Sequence, residues 1–211
     1  MSVANDARFW DRTARKYARG AVADQAGYER TLTRTAGLLR PGDTVLELGC
    51  GTGTTALRLA GAVAAYLATD ISPEMIAIAK ERWAEAPAPN LSFRAATAEA
   101  LTADASAFDA VLAFNYLHLV RDLSGTLRQV GHLLAPGGLF ISKTPCVGDM
   151  NPAIRLVVPA MRAIGLAPYA GVFRAADLVR RMEAAGFSIL ATELHATKGE
   201  DHRPFVVARK S

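Results

Sequence analysis

The most constraining feature of this chain is the run Val45-Leu46-Glu47-Leu48-Gly49-Cys50-Gly51-Thr52-Gly53-Thr54. A short apolar stretch meets three glycines at alternate positions and then enters a helical pattern. Such a run predicts a strand, a sharp turn and a helix, and the glycines let a ligand approach backbone that no Cβ shields. A first strand ending in this way commits the chain to an open α/β sheet. Ligands in such sheets sit at the carboxyl ends of the strands, where the strand order reverses.

The remaining pattern agrees. Thr44–Leu48, Val63–Thr69 (with Asp70 at its end), Leu91–Ala95, Phe108–Phe114 and Leu139–Thr144 read as strands. Helices run between them from Thr54 to Ala60, from Ser72 onward and from Asp122 to Leu134. Ser72-Pro73-Glu74 opens its helix with an N-cap, a first-turn proline and a first-turn acid. Strands alternating with helices of this length imply a parallel sheet covered on both faces. The rhythm breaks late. A helix from Ala175 to Ala185, stopped by Gly186, precedes two successive strands, Phe187–Leu194 and Arg203–Arg209. Their short polar connection predicts an antiparallel hairpin at one end of the sheet. Residues 5–19 and 25–39 read as cap helices, the second ended by Pro41-Gly42. The expectation is one domain, with a helical cap over 1–40, a ligand-binding core over 41–144, an irregular insert over 145–174, and a last helix and hairpin over 175–211.

Composition excludes several classes. With 51% hydrophobic and 21% charged residues, the chain is unlike a disordered one, and two cysteines are too few for a disulfide scaffold. Cys50 and Cys146 match no metal or redox spacing, so no metal is expected. The charged first twenty residues do not read as a signal peptide, and no stretch approaches the roughly 20 apolar residues of a membrane span. A cytoplasmic location is therefore expected. The net charge of +4 lies wholly in residues 1–40, which hold eight basic and four acidic side chains. On the first helix Trp10, Ala14 and Tyr17 share one stripe, and Arg8, Arg12, Arg15 and Arg19 line the opposite face. Such a face is either a solvated surface or a docking face for an anionic membrane or a nucleic acid.

Spacing decides which ligand the glycine turn suits. The dinucleotide fingerprint starting at Gly49 needs a small residue at position 54, where Thr54 stands, so an NAD(P)-dependent reductase is disfavoured. A phosphate-binding loop needs a lysine that is absent. Glu47, just before the turn, suits a ligand with a positive group better than a pyrophosphate. Asp70, at the end of the second strand, can accept hydrogen bonds from both hydroxyls of a ribose.

These residues resemble a known family. Glu47-x-Gly-x-Gly-x-Gly53 is similar to the cofactor motif of class I S-adenosylmethionine (SAM)-dependent methyltransferases, and Asp70-Ile71-Ser72-Pro73-Glu74-Met75 to their second motif. Phe108-Asp109-Ala110-Val111 resembles their fourth strand, and Leu133-Leu134-Ala135-Pro136-Gly137-Gly138 the turn before the fifth. Phe9-Trp10-Asp11, Ala14 and Tyr17 are similar to the start of the ubiquinone/menaquinone-biosynthesis-like branch.

The resemblance implies a three-layer Rossmann-like α/β fold. Its sheet would be mostly parallel and seven-stranded, with an antiparallel C-terminal strand and an N-terminal helical cap. It also implies SAM as cofactor, S-adenosylhomocysteine (SAH) as product, and a small-molecule acceptor. Neither a nucleic-acid partner nor a metal is expected, although a weak membrane-surface contact through the basic helix is compatible with the charge pattern. By the same resemblance Glu47, Gly49 and Gly51 would lie along the methionine part, Cys50 and Gly53 would belong to the same cofactor-binding turn, and Asp70 would hold the ribose. Ile71 and Met75 would pack on the adenine, Thr97 and Ala98 would contact it, and Glu99 would join the cofactor-binding set, while Asn115 and Tyr116 would line the space near the sulfonium. Thr97 stands where the family often has an Asp, which gives a neutral and weaker hydrogen-bond partner. Tyr17 and Trp10 would either close over the cofactor as a lid or simply pack the first helix on the domain, with Tyr17 counted as a cofactor contact.

His118, after the fourth strand, is the candidate general base, because its ordinary pKa suits proton removal near neutrality. His195 and His202 flank the hairpin loop and are candidates for the pocket rim. In the insert, Arg155, Tyr169 and Phe173 are candidate acceptor contacts together with Trp10, suiting a hydrophobic acceptor with an acidic group.

Overall fold

A computed structural model of the chain describes residues 3–104, 107–151, 153, 154, 157, 161 and 167–211. Two helices come first, α1 (Val3–Ala18) and α2 (Gln25–Ala36). The sheet region follows as β1 (Thr44–Leu48), α3 (Thr54–Leu59), β2 (Ala65–Asp70), α4 (Pro73–Glu85), β3 (Leu91–Ala95), β4 (Phe108–Phe114), α5 (Leu123–Leu133) and β5 (Leu134–Lys143). The last elements are α6 (Ala175–Ala184), β6 (Phe187–Glu193) and β7 (Phe205–Lys210).

The seven strands lie in the order β3-β2-β1-β4-β5-β7-β6. Neighbours among β1–β5 run parallel, and β7 runs antiparallel to both β5 and β6. The hairpin is therefore present, with its second strand inserted against β5 and its first at the sheet edge. Strand order reverses between β1 and β4, so their carboxyl ends diverge and open a crevice.

Alternation along each strand feeds two cores. On β4, Val111 and Ala113 join Phe140 of β5, Leu127 of α5 and Leu178 of α6 on one face. Ala110 and Leu112 join Val45, Tyr66 and Ile141, with Leu32 of α2 and Ala56 of α3, on the other. A small third cluster of Ala14, Met75 and Ile78, flanked by Trp10, fixes α1 on α4. Burial on both faces is why β1 and β4 read as mostly apolar runs, interrupted at Glu47 and Asp109, rather than alternating ones.

Two expectations need correction. The second helix ends at Ala36, with Gly37 as its C-cap, and not at Leu39. The fifth strand begins at Leu134, directly after α5, and absorbs Pro136-Gly137-Gly138 through a register shift opposite Phe108–Ala110. The arginine face of α1 is exposed at Arg8, Arg12, Arg15 and Arg19, as a solvated surface requires, and at that surface Arg15 reaches Glu74 at 3.1 Å and grips both carboxylate oxygens of Glu81 at 3.0 Å. Among the described residues no helix is long and apolar enough to cross a membrane.

Candidate functional site

The carboxyl ends of β1, β2 and β4 build the crevice from three different local devices. After β1, Gly49, Gly51 and Gly53 all adopt positive φ, at 70°, 54° and 77°. Each glycine answers a different demand. A Cβ on Gly49 would lie 2.6 Å from the Tyr116 ring, and one on Gly53 would lie 2.9 Å from both Ala79 and Phe93. A Cβ on Gly51 would meet only Tyr17, at 3.7 Å. Gly49 and Gly53 are thus required by packing, whereas Gly51 keeps open a space roofed by Tyr17.

At the end of β2, the Asp70 carboxylate accepts the N–H of Gly51 and the N–H of Ser72, each at 2.9 Å. It therefore ties the glycine turn to the start of α4. Burial raises its pKa, and those two N–H groups oppose the rise. Each oxygen keeps acceptor capacity for a further donor. At the end of β4, Asn115 takes the left-handed conformation (φ 52°) and donates its N–H to Lys143 O at 2.7 Å.

Glu47 is 2% exposed and accepts the Tyr66 hydroxyl at 2.9 Å. Burial pushes its pKa up to about 7, helped by the charge of Asp70 and opposed by the Tyr66 hydrogen bond. A carboxylate so placed gains from a cation brought beside it.

Two cavities open here. The first, about 290 Å³, is lined by Asp70, Ile71, Met75, Thr97, Glu99 and Tyr116 from the sheet side. The second, about 860 Å³, lies toward α2 and is lined by Glu47, Cys50, Tyr28, Thr31, Lys143 and Arg203. Trp10, Tyr17, Gly49, Gly51, Phe114 and Asn115 border both. Trp10 and Tyr17 meet edge to face, with ring centroids 6.0 Å apart. Over the first cavity, Arg121 grips the Asp6 carboxylate through two hydrogen bonds of 2.9 Å and lies 4.9 Å above the Tyr169 ring. This contact joins α1, the segment after β4 and the segment before α6.

Thirteen of the expected residues border one or both cavities: Trp10, Tyr17, Glu47, Gly49, Cys50, Gly51, Asp70, Ile71, Met75, Thr97, Glu99, Asn115 and Tyr116. Others do not. Gly53 caps α3 and packs on Ala79 and Phe93. Ala98 and Phe173 belong to the core beneath α5 and α6. Tyr169 contacts Arg121 instead of lining either space. His118 sits in a 3₁₀ turn, its Nδ1 3.0 Å from Thr144 Oγ1, and burial lowers its pKa to about 4. It is a weak base facing neither cavity, so the geometry gives the general-base role no support. His195 is buried between Thr31 and Glu193, at 3.0 and 3.1 Å, and not on a rim. Arg155 lies outside the described residues.

Sequence reasoning missed Asp6, Arg121, Thr31, Lys143 and Arg203. Asp6 and Arg121 are ordinary members of charge-rich stretches and pair across 115 positions. Lys143 was legible only as the end of a strand.

Residues 45–138 match the methyltransferase-domain family. The chain is 35% identical over 153 residues to a ubiquinone biosynthesis O-methyltransferase of Methylocella silvestris, a match covering 68% of this chain and 57% of that protein. It is 32% identical over 202 residues to a demethylmenaquinone methyltransferase of Mycolicibacterium gilvum, covering 86% of each. Among solved structures, the magnesium protoporphyrin IX methyltransferase of Synechocystis PCC 6803 with bound SAH is similar at a TM-score of 0.71 and 23% identity. That likeness covers 98% of this chain and 95% of the other, and it establishes the fold.

Proposed function

We propose that this chain, which belongs to the class I S-adenosylmethionine-dependent methyltransferases, methylates an oxygen of a small-molecule acceptor held in the larger cavity. The observation that carries the reading is the joining of the glycine turn to Asp70. One carboxylate pins the turn through Gly51 N–H and at the same time lines the smaller cavity. The O-methyltransferase name borne by the Methylocella silvestris relative supports oxygen as the acceptor atom.

The residues fit the cofactor. Asp70 takes the ribose hydroxyls. Ile71 and Met75 provide apolar walls for the adenine, and Thr97 offers it a hydroxyl. Gly51 leaves backbone open to the amino-acid part, and the buried Glu47 carboxylate, short of a cation, suits its ammonium. When bound, SAM supplies a methyl group on a cationic sulfur, an electrophile whose leaving group departs neutral.

The chain itself contributes orientation and dryness. Trp10 and Tyr17 roof the seam between the cavities, and Asn115 shapes its floor. Holding an acceptor at near-attack distance in such a site supplies much of the acceleration. The residues bordering the two cavities give binding, alignment and exclusion of water, and His118 is not among them.

Calorimetry with SAH, SAM and NADH tests the reading. One-to-one binding of the two sulfur ligands with none of NADH is the expected result. Binding of NADH without SAH would overturn it.

A further inference from the structure

The larger cavity contains a lysine whose surroundings leave it short of an anion. Lys143 closes β5, opposite Phe114 of β4 on one side and Phe205 of β7 on the other. Its backbone carbonyl is the acceptor for Asn115 N–H, so its position is locked to the turn above β4. The half-buried ammonium donates to Thr31 Oγ1 at 3.0 Å, and among the described residues that is its one hydrogen bond. An ammonium has three N–H donors. Two therefore remain, on a group lining a cavity of about 860 Å³.

The neighbouring acids are already engaged. Asp201 accepts the N–H groups of His195, Ala196 and Arg203 at 3.1, 2.8 and 3.0 Å, while Arg203 Nε lies 3.6 Å from it. Asp24 accepts the N–H of Gly27 at 3.0 Å and of Thr197 at 2.8 Å. Both draw the ammonium toward its charged form. Burial and the nearby Arg203 act the other way and prevail, so its pKa falls.

Thr31, the one partner, is held in turn. Its hydroxyl donates to Gly27 O at 2.9 Å and lies 3.0 Å from His195 Nδ1, and the far nitrogen of that ring faces Glu193 at 3.1 Å. Glu193 accepts Arg34 Nε at 2.9 Å. The lysine is thus tethered by a buried polar chain and pre-set in direction, with Arg203 as a second cation on the same wall.

We propose that Lys143 is the acceptor-orienting residue, and that the acceptor carries an ionised oxygen, a ring carboxylate or phenolate, which docks on the Lys143 ammonium with Arg203 beside it. This inference rests on the methyltransferase reading above and narrows its substrate class. A fixed cation at the end of β5 aligns an anionic acceptor against the seam that Asn115 and Tyr17 border. It also selects against neutral analogues, whose binding would leave the ammonium buried without a counter-charge.

The test is calorimetry on the full chain saturated with SAH, using benzoate against benzamide and 4-nitrophenolate against 4-nitroanisole. The native protein should bind at least one anion about tenfold or more tightly than its neutral partner, the scale of a hydrogen bond to a charged group. The responding pair distinguishes carboxylate from phenolate. Lys143→Met should abolish the preference and leave SAH affinity within about twofold, and Lys143→Arg should keep the preference. Melting curves confirm that both variants fold, and Lys143→Arg carries the test if the methionine variant does not.

Equal binding of anion and neutral partner by the native protein overturns the inference. So does a tenfold loss of SAH affinity in Lys143→Met, which would give the lysine to the cofactor's carboxylate. Failure of the native protein to bind SAH would instead defeat the methyltransferase reading itself.

Discussion

The two cavities of this molecule are built by different means. The smaller is walled chiefly by residues that follow directly on strand ends: Gly49 and Gly51 after β1, Asp70 and Ile71 at β2, Thr97 after β3, Asn115 and Tyr116 after β4. The larger gathers Thr31 from α2, Glu47 from β1, Lys143 from β5 and Arg203 from the last connection. Turn chemistry dominates the first, whereas the second adds to the shared residues Gly49, Gly51 and Asn115 a wall made by tertiary juxtaposition. A cofactor site of the first kind recurs across a family, whereas an acceptor site of the second kind can change with each chain.

The largest expected effect lies on the cofactor side. Asp70→Ala removes charged hydrogen-bond acceptors and should weaken SAH binding by one to two orders of magnitude, about 1.5–3 kcal/mol. The binding of benzoate or 4-nitrophenolate should stay unchanged. If calorimetry showed both ligands weakened equally, the division between the cavities would be wrong.

Next come the glycines, which separate folding from binding within one turn. Both Gly51→Ala and Gly53→Ala place a Cβ on a left-handed residue, at a cost of about 1–2 kcal/mol. Gly53→Ala adds overlap with Ala79 and Phe93 and should lose the more stability in urea unfolding. Gly51→Ala, whose Cβ enters open space near Tyr17, should lose the more SAH affinity. The reverse ranking would show that the roles of the two positions are exchanged.

Glu47 makes the comparison pH-dependent. Its folded pKa, about 7, lies above the ordinary 4.5, so between those values the folded state holds the proton more tightly than the unfolded chain. Stability linked to this group is therefore greatest below about pH 4.5, falls as pH rises toward 7, and is lower by about 3 kcal/mol above it. Glu47→Gln should flatten this part of the dependence in denaturation curves between pH 5 and 8. Conversely, SAH binding to the native protein should tighten with pH over the same range as the carboxylate ionises to meet the ammonium. An unchanged profile in the variant would remove Glu47 from the site.

The smallest effect concerns the roof. Arg121→Gln breaks the two-pronged contact with Asp6 and the stacking on Tyr169. We expect SAH to dissociate a few times faster in stopped-flow fluorescence, with little change in melting temperature. No change in rate would leave the contact a purely structural one.

The sequence made the first cavity readable because its parts are local. The glycine spacing, the aspartate at the end of β2 and the N-cap at Ser72 each reveal themselves within a few residues. Cores of β1 and β4 were equally plain as apolar runs. The second cavity was opaque for the same reason inverted. Lys143 meets Thr31 across 112 positions and Thr31 meets His195 across 164, and no local pattern marks such pairs. The place of His118 was legible, but proximity to a strand end says nothing about which way a ring turns, and its contact with Thr144 was not marked in the sequence. The arginines of α1 were legible as an exposed face, and only the reach of Arg15 to the acids of α4 was hidden from a local pattern.

The most direct measurement is a crystal structure of the full chain with SAH. The account predicts the ribose hydroxyls on Asp70, the adenine between Ile71 and Thr97 in the smaller cavity, and the sulfur at the seam beside Asn115, open toward Lys143. Adenine in the larger cavity, or a ribose away from Asp70, would contradict it.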